Sequence, residues 1–278
     1  MMSDPGKAIR NILVHVDGSE ASSRLLRIAR GIAKRQRAHV FVQFCVEASI
    51  GGMRLALSDV PAALFETRTG AALDHARQAF DEDVDESTWL EPLEQGASDA
   101  FLRQARLADL VVMGAAEPSA SGAPSADLAE KVLLESGRPL LLLPSHLQSW
   151  SGNASALVGW NGSAQAARAL ADALPWLRGA ARVHVLISRE CEEASRDDGL
   201  EVHGALRRHG IEAVMHRADG DAPGEDNAGQ RLACLAADLG VGLVVMGGYG
   251  HGRLQERVLG GATSFMMRWA SLPVLMAH

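Results

Sequence analysis

The chain has 278 residues, 47% of them apolar and 22% charged, which excludes a mainly disordered polypeptide and suits two globular domains of roughly 150 residues each. Lys and Arg number 27 against 34 Asp and Glu, a net charge of −7, so there is no overall basic footprint for nucleic acid or for an anionic membrane surface. Aromatic residues make up 4%, too few for a platform that stacks single-stranded bases.

The elements alternate along the chain. Ile9–Val16 reads as a buried strand, and Ala21, Leu25, Ile28, Ala29 and Ile32 then recur at helical spacing. Val40–Val46 is a strand, Pro61–Asp83 mostly helix, and Trp89–Glu94 a strand made irregular by Pro92. Helix at Asp99–Leu107, strand at Leu110–Met113, helix at Ala126–Glu135 and strand at Leu140–Leu143 complete a first half. The second half has strands at Ala156–Trp160, Arg182–Ile187, Ala213–Arg217, Leu243–Met246 and Val274–Met276. Its helices fall near Ala164–Leu177, Leu200–His209, Gln230–Leu239 and Gly261–Ala270. Strict alternation predicts α/β architecture with doubly wound, mainly parallel sheets, whose ligands bind outside the carboxyl ends of the strands.

The halves are copies of one another. Ile12-Leu-Val-His-Val-Asp17-Gly-Ser19 returns as Ala156-Leu-Val-Gly-Trp-Asn161-Gly-Ser163, and Asp109-Leu-Val-Val-Met-Gly114 as Gly242-Leu-Val-Val-Met-Gly247. Arg138-Pro-Leu-Leu-Leu-Leu143 returns as Leu272-Pro-Val-Leu-Met276. The expected domains are 1–147 and 153–278, joined by a linker over 144–153. The final strands, Leu140–Leu143 and Val274–Met276, are short and wholly apolar, hazardous as bare edges. Their pairing into an intrachain pseudo-dimer is expected, so that the chain is a monomer with paired halves or a homodimer of such chains. Cys45, Cys191 and Cys234 are far apart and form no CxxC pair, which suits a reducing cytoplasm and no zinc module. Met1–Arg10 has no apolar core before Ile9, and no run reaches the ~20 residues of a spanning helix, so neither a signal peptide nor a membrane partner is expected.

The chemistry gathers after the strand Leu243–Met246, in Gly247-Gly248-Tyr249-Gly250-His251-Gly252-Arg253, which runs past Arg257 to Gly260-Gly261-Ala262-Thr263 and a helix. Glycines let successive backbone N–H groups cradle an anion, and a helix N-terminus and two arginines add positive potential. The spacing is neither a Walker A loop nor the dinucleotide fingerprint. His251 reads as a solvated loop histidine, Cys234 as a small core residue, and Asp219–Asp226 as a flexible loop without EF-hand ligand spacing. His203, His209 and His216 lack metal-ligand spacing, so no metal is expected, and no nucleophile with an oriented base is visible.

The pattern Gly247-x-x-Gly250, nine residues, then Gly260, together with the opening Ile-Leu-Val-His-Val-Asp-Gly-Ser and the repeated Leu-Val-Val-Met-Gly, resembles the universal stress protein family over almost the whole chain, as a tandem two-domain bacterial member. The resemblance implies a five-stranded sheet in each domain and, in some members, ATP held between the first-strand Asp and the glycine loop. Carried over by motif, a second-half site for ATP or another adenine nucleotide comprises Asn161, Met246, Gly247, Gly250, Gly260, Gly261 and Thr263. Two departures weaken it: Gly261 stands where the family has Ser or Thr, and Asn161 where it has Asp. In the first half Asp17 is kept, but Glu117 replaces a loop glycine and Ala126-Asp127 replaces Gly-Ser, so no triphosphate site is expected there. Asp17 itself reads as a turn residue whose carboxylate caps a helix or bonds backbone amides, with a ligand contact as the lesser alternative. The implied function is a non-catalytic stress-response regulator or adaptor with an unidentified protein partner. The alternatives are an interaction protein that binds no nucleotide, or a slow ATPase.

Overall fold

The computed structural model describes residues 8–46, 49–50, 53–54, 62–82, 86–91, 97–115, 126–188, 198–217, 228–249, 261–269 and 271–278. Two compact units divide them, one over Ile9–Trp150 and one over Ser151–His278.

In the first unit the order is β1 (Asn11–Val16), α1 (Glu20–Gln36), β2 (His39–Phe44), a short antiparallel pair β3 (Ser49–Ile50) and β4 (Met53–Arg54), α2 (Ala62–Asp81), β5 (Ser87–Leu90), α3 (Ala97–Ala105), β6 (Leu110–Gly114), α4 (Ala126–Glu135) and β7 (Leu140–Leu143). Its main sheet runs β7-β6-β1-β2-β5, every pairing parallel. The second unit has β8 (Ala156–Trp160), α5 (Ala164–Leu177), β9 (Val183–Ile187), α6 (Asp198–Arg208), β10 (Ala213–Arg217), α7 (Ala228–Asp238), β11 (Leu243–Gly247), α8 (Ala262–Trp269) and β12 (Val274–Ala277). Its sheet runs β12-β11-β8-β9-β10, again all parallel. Each unit is therefore a doubly wound five-stranded α/β domain. The strand order reverses beside β1 in one and beside β8 in the other, which opens a crevice at those carboxyl ends.

The local chemistry explains the matching starts of the two copies. Ser19 and Ser163 cap α1 and α5 with the same backbone angles, φ −76 and ψ 158, and each hydroxyl oxygen accepts the N–H three residues on, from Ser22 and Ala166. Strands β6 and β7 are buried almost throughout, as sheets covered on both faces require, which accounts for their apolar runs. Helix α1 buries Leu25, Leu26, Ile28, Ala29, Ile32 and Ala33 and ends where Arg37 turns left-handed, at φ 54, with its N–H on the Ala33 carbonyl.

The structure departs from the sequence reading in places. Strand β2 stops at Phe44, two residues early, and β5 starts at Ser87. The β3–β4 pair has no signal in the sequence, being two residues a side. Cys234 is exposed, not a core residue. Leu232 and Ala236, one helical turn apart and 4% and 0% exposed, set the buried face of α7, and two residues from either lands on the opposite side. Pro92, Glu117, Cys191, the segment Asp219–Asp226 and the loop residues His251, Arg253 and Arg257 lie outside the described residues. Among the described residues no helix is long and apolar enough to cross a membrane.

Candidate functional site

The site is built on the turn that follows β8. Asn161 Oδ1 accepts from the Ser163 backbone N–H at 3.2 Å and from its hydroxyl at 2.7 Å. Asp17 does the same in the first unit, with Ser19 N–H at 2.9 Å and its hydroxyl at 2.6 Å. The carboxylate in one unit and the amide in the other are thus turn-makers first, which is the role the sequence suggested for Asp17. Two donors facing one atom fix that atom as the amide oxygen, so Asn161 turns its NH2 away from the Ser163 turn.

From the other side comes the end of β11. Gly247 is there because nothing larger fits: a Cβ would stand 2.6 Å from Ala166 N and 2.7 Å from Gln165 C, in the first turn of α5. Gly248 N–H then bonds Ala277 O at 2.8 Å, and the His278 ring bonds Gly248 O at 2.9 Å, which ties the loop's start to β12 and the terminal residue. Tyr249, 6% exposed, takes a left-handed conformation at φ 54, and its N–H donates to Thr263 Oγ1 at 3.0 Å. Thr263 is 1% exposed, so its hydroxyl holds both ends of the loop. Gly261 immediately precedes α8, and its carbonyl accepts from Phe265 N–H at 3.0 Å, so a glycine serves as the cap.

Between these elements lies a cavity of about 110 Å³ at the carboxyl ends of β8, β9 and β11. Asn161, Met246, Gly247 and Thr263, all named from the sequence, line it together. Gly261 borders it through its neighbour Ala262, whereas Gly250 and Gly260 lie outside the described residues. The lining also includes Gly159, Trp160, Leu186 and Ser188 from β8 and β9, Ala228, Arg231 and Leu232 from α7, and Tyr249. The sequence reading missed these. The one signal for Gly159, Trp160 and Ser188 is that parallel strands end at the ligand, and Arg231 and Leu232 need the packing of α7 to be known. No described lining residue is acidic, Arg231 is cationic, and the Trp160 indole N–H is buried with no hydrogen-bond partner among the described residues. In a chain of net charge −7, the described lining of this cavity carries no carboxylate.

Behind the Leu186 wall two histidines pair. His184 on β9 and His216 on β10 meet at 2.9 Å between ring nitrogens, and the register sets His216 beside Leu186. Burial, then His216 and Arg182, hold the His184 pKa below its ordinary 6.5. The unfolded chain therefore binds more protons than the folded one below about pH 6.5, and stability should fall with pH from there through the lowered folded value. His184→Phe, which copies Phe41 at the matching place in β2, should flatten that slope in urea titrations run at neutral and mildly acidic pH. An unchanged slope would assign the acid sensitivity to other groups. Among the described residues no cluster of three or more His, Cys, Asp or Glu is placed to hold a metal ion.

Two doubly wound five-stranded domains in one chain, the second with a cavity at its switch point, define a class of tandem α/β proteins. The model of the universal stress protein family matches residues 8–144. A universal stress protein from Archaeoglobus fulgidus DSM 4304 aligns over 96% of this chain and 97% of its own, with 19% identity and a TM-score of 0.71. A functionally unknown protein from Pseudomonas aeruginosa PAO1 aligns over 99% and 94%, with 16% identity and a TM-score of 0.61. A universal stress protein in complex with cAMP aligns over 50% of this chain and 99% of its own, with 23% identity and a TM-score of 0.32. No curated protein sequence matches the chain. Residues 8–144, the first domain, belong to the universal stress protein family, and the second domain repeats the same five-stranded fold in tandem.

Proposed function

We propose that the second unit binds an adenine nucleotide, with ATP the first candidate, and that the chain works as a non-catalytic stress-response regulator or adaptor whose loop is ordered by that ligand. The observation that supports this is the cavity at the carboxyl ends of β8, β9 and β11, whose described lining holds Asn161, Thr263 and Arg231 and no carboxylate. Asn161 Nδ2 and the Thr263 hydroxyl are donors in its lining, Arg231 adds a positive charge, and a nucleotide offers acceptors in its base, ribose and phosphates. The N-terminus of α8, behind its glycine cap, adds the dipole that favours an anion. A bound nucleotide shifts the loop toward one conformation by its differential affinity, and a partner reads the surface that results.

The test uses freshly purified chain. Denaturation and chromatography should release adenine nucleotide, and calorimetry of the stripped protein with ATP should fit about one site per chain. No release, and no heat at millimolar ATP, would end this reading.

A second reading, an interaction protein without nucleotide, is favoured by one feature. Asn161 Oδ1 and Thr263 Oγ1 are already engaged by Ser163 and by Tyr249. Under it, Gly261→Ser with Asn161→Asp would still give no ATP binding.

A further inference from the structure

The two units differ at the atoms where their crevices should match. Cys45 N–H bonds Val16 O at 3.0 Å, and Ser188 N–H bonds Trp160 O at 2.8 Å, so the strand ends superpose residue for residue. His15 pairs with Gln43 in the register of β1 and β2, exactly where Gly159 pairs with Leu186 in β8 and β9. Phe101 and Leu232 match as well, each four residues before a fully buried alanine, Ala105 and Ala236, in the helix that leads into Leu-Val-Val-Met-Gly. In the second unit Gly159, Ser188 and Leu232 all line the cavity. In the first, the His15 ring is 2% exposed, its Nε2–H donates to Cys45 O at 2.8 Å, and it stands edge-on to the Phe101 ring with centroids 5.5 Å apart. A flat nitrogen heterocycle thus lies among the counterparts of the cavity walls, edge-on to an aromatic ring and bonded to the carbonyl just past the end of β2. Beside it the Gln43 Oε1 is buried with no hydrogen-bond partner among the described residues.

We propose that His15 is a tethered occupant of the first unit's ligand crevice: its imidazole fills the space that Gly159 leaves open in the second unit, so only the second unit answers to a soluble ligand. The inference rests on the ligand reading of the second crevice. It adds that the first crevice was closed from within by one side chain, and that it keeps the recognition surface for a nitrogen heterocycle. The glycine at 159 is then the residue that makes the second crevice a binding site. A Cβ there would meet the ends of the Leu232 side chain at 3.3 and 3.4 Å and Met246 Cβ at 3.8 Å, so no backbone atom lies within 4 Å and the Leu232 methyls are what must give way.

Mirror exchanges in the full chain test this. His15→Gly should lower the urea midpoint, and free imidazole should restore it in a saturable way that grows with its concentration. Leu26→Ala, a buried truncation in α1 of the same unit, should gain nothing from imidazole. If His15→Gly is unfolded by itself, refolding on addition of imidazole is the same positive result. Gly159→His should keep its fold and lose ATP affinity about tenfold or more. The proposal is overturned if imidazole leaves His15→Gly unrestored or folded no better, if it aids Leu26→Ala equally, or if Gly159→His binds ATP as the parent does. Should the parent chain itself bind no ATP, the nucleotide reading fails, while the imidazole arm still reports whether His15 fills a heterocycle site.

Discussion

Gly18→Ala should cost the first unit about 2–5 kcal/mol, the sum of backbone strain and overpacking. Gly18 holds φ +81, which a side chain resists, and an added Cβ would lie 2.1 Å from Ala72 O, 2.6 Å from Ala72 C and 2.7 Å from Ala72 Cα. Those are backbone atoms of α2, so no rotamer change relieves the contact, and the helix must lift from the β1–α1 turn. Lifting it would also break the bond between the His75 ring and Gly18 O. Gly137 separates the two causes, because it has φ +68 with nothing within 4 Å of a Cβ. Gly137→Ala should therefore show the strain alone, ~1 kcal/mol. Urea unfolding of both variants measures the difference, and equal losses would remove crowding by α2 from the account.

Gly247→Ala should lower the stability of the second unit by about 1–3 kcal/mol and abolish ligand binding there. Its φ is not in the left-handed region, so the cost is crowding: Ala166 N at 2.6 Å, Gln165 C at 2.7 Å and Gln165 Cβ at 2.9 Å. Relief comes by pushing the first turn of α5 away from β11. That turn carries the Ser163 cap and, through it, the orientation of Asn161. Gly204 gives the opposite sign as a control, since it lies inside α6 with nothing within 4 Å of a Cβ. Gly204→Ala should stabilise by about 0.5–1 kcal/mol through helix propensity. Calorimetric denaturation with and without ATP reads both effects. A Gly247→Ala chain with parental stability and affinity would show that α5 does not brace the site.

Much of this was legible in the residues. The boundaries of α4, α5, β7, β8 and β10 stand as the sequence predicts them; Ser163 writes the cap of α5, and the apolar runs of β7 and β8 write buried parallel strands. Asn161, Met246, Gly247 and Thr263 were named together because the repeat put two strand ends and a glycine loop in register with a known pattern. By contrast, Cys234 was put in the core on the strength of apolar neighbours, whereas the phase of α7 faces it to solvent. The His184–His216 contact joins residues from separate strands whose only relation is lateral pairing. The meaning of His15 against Gly159 was equally hidden, since each sits in an unremarkable apolar strand.

Composition, periodicity and repetition were enough for the α/β class, the two copies, the helix caps and the motif-bearing half of the site, because these depend on hydrogen bonds and apolar faces that repeat within a few residues of chain. Only tertiary structure decided which crevice is open, that Leu186, Ser188 and Arg231 share a wall with Asn161, and which glycines are irreplaceable. Those properties depend on register between strands and on the approach of one backbone to another, where an atom's room is set by residues far away in sequence.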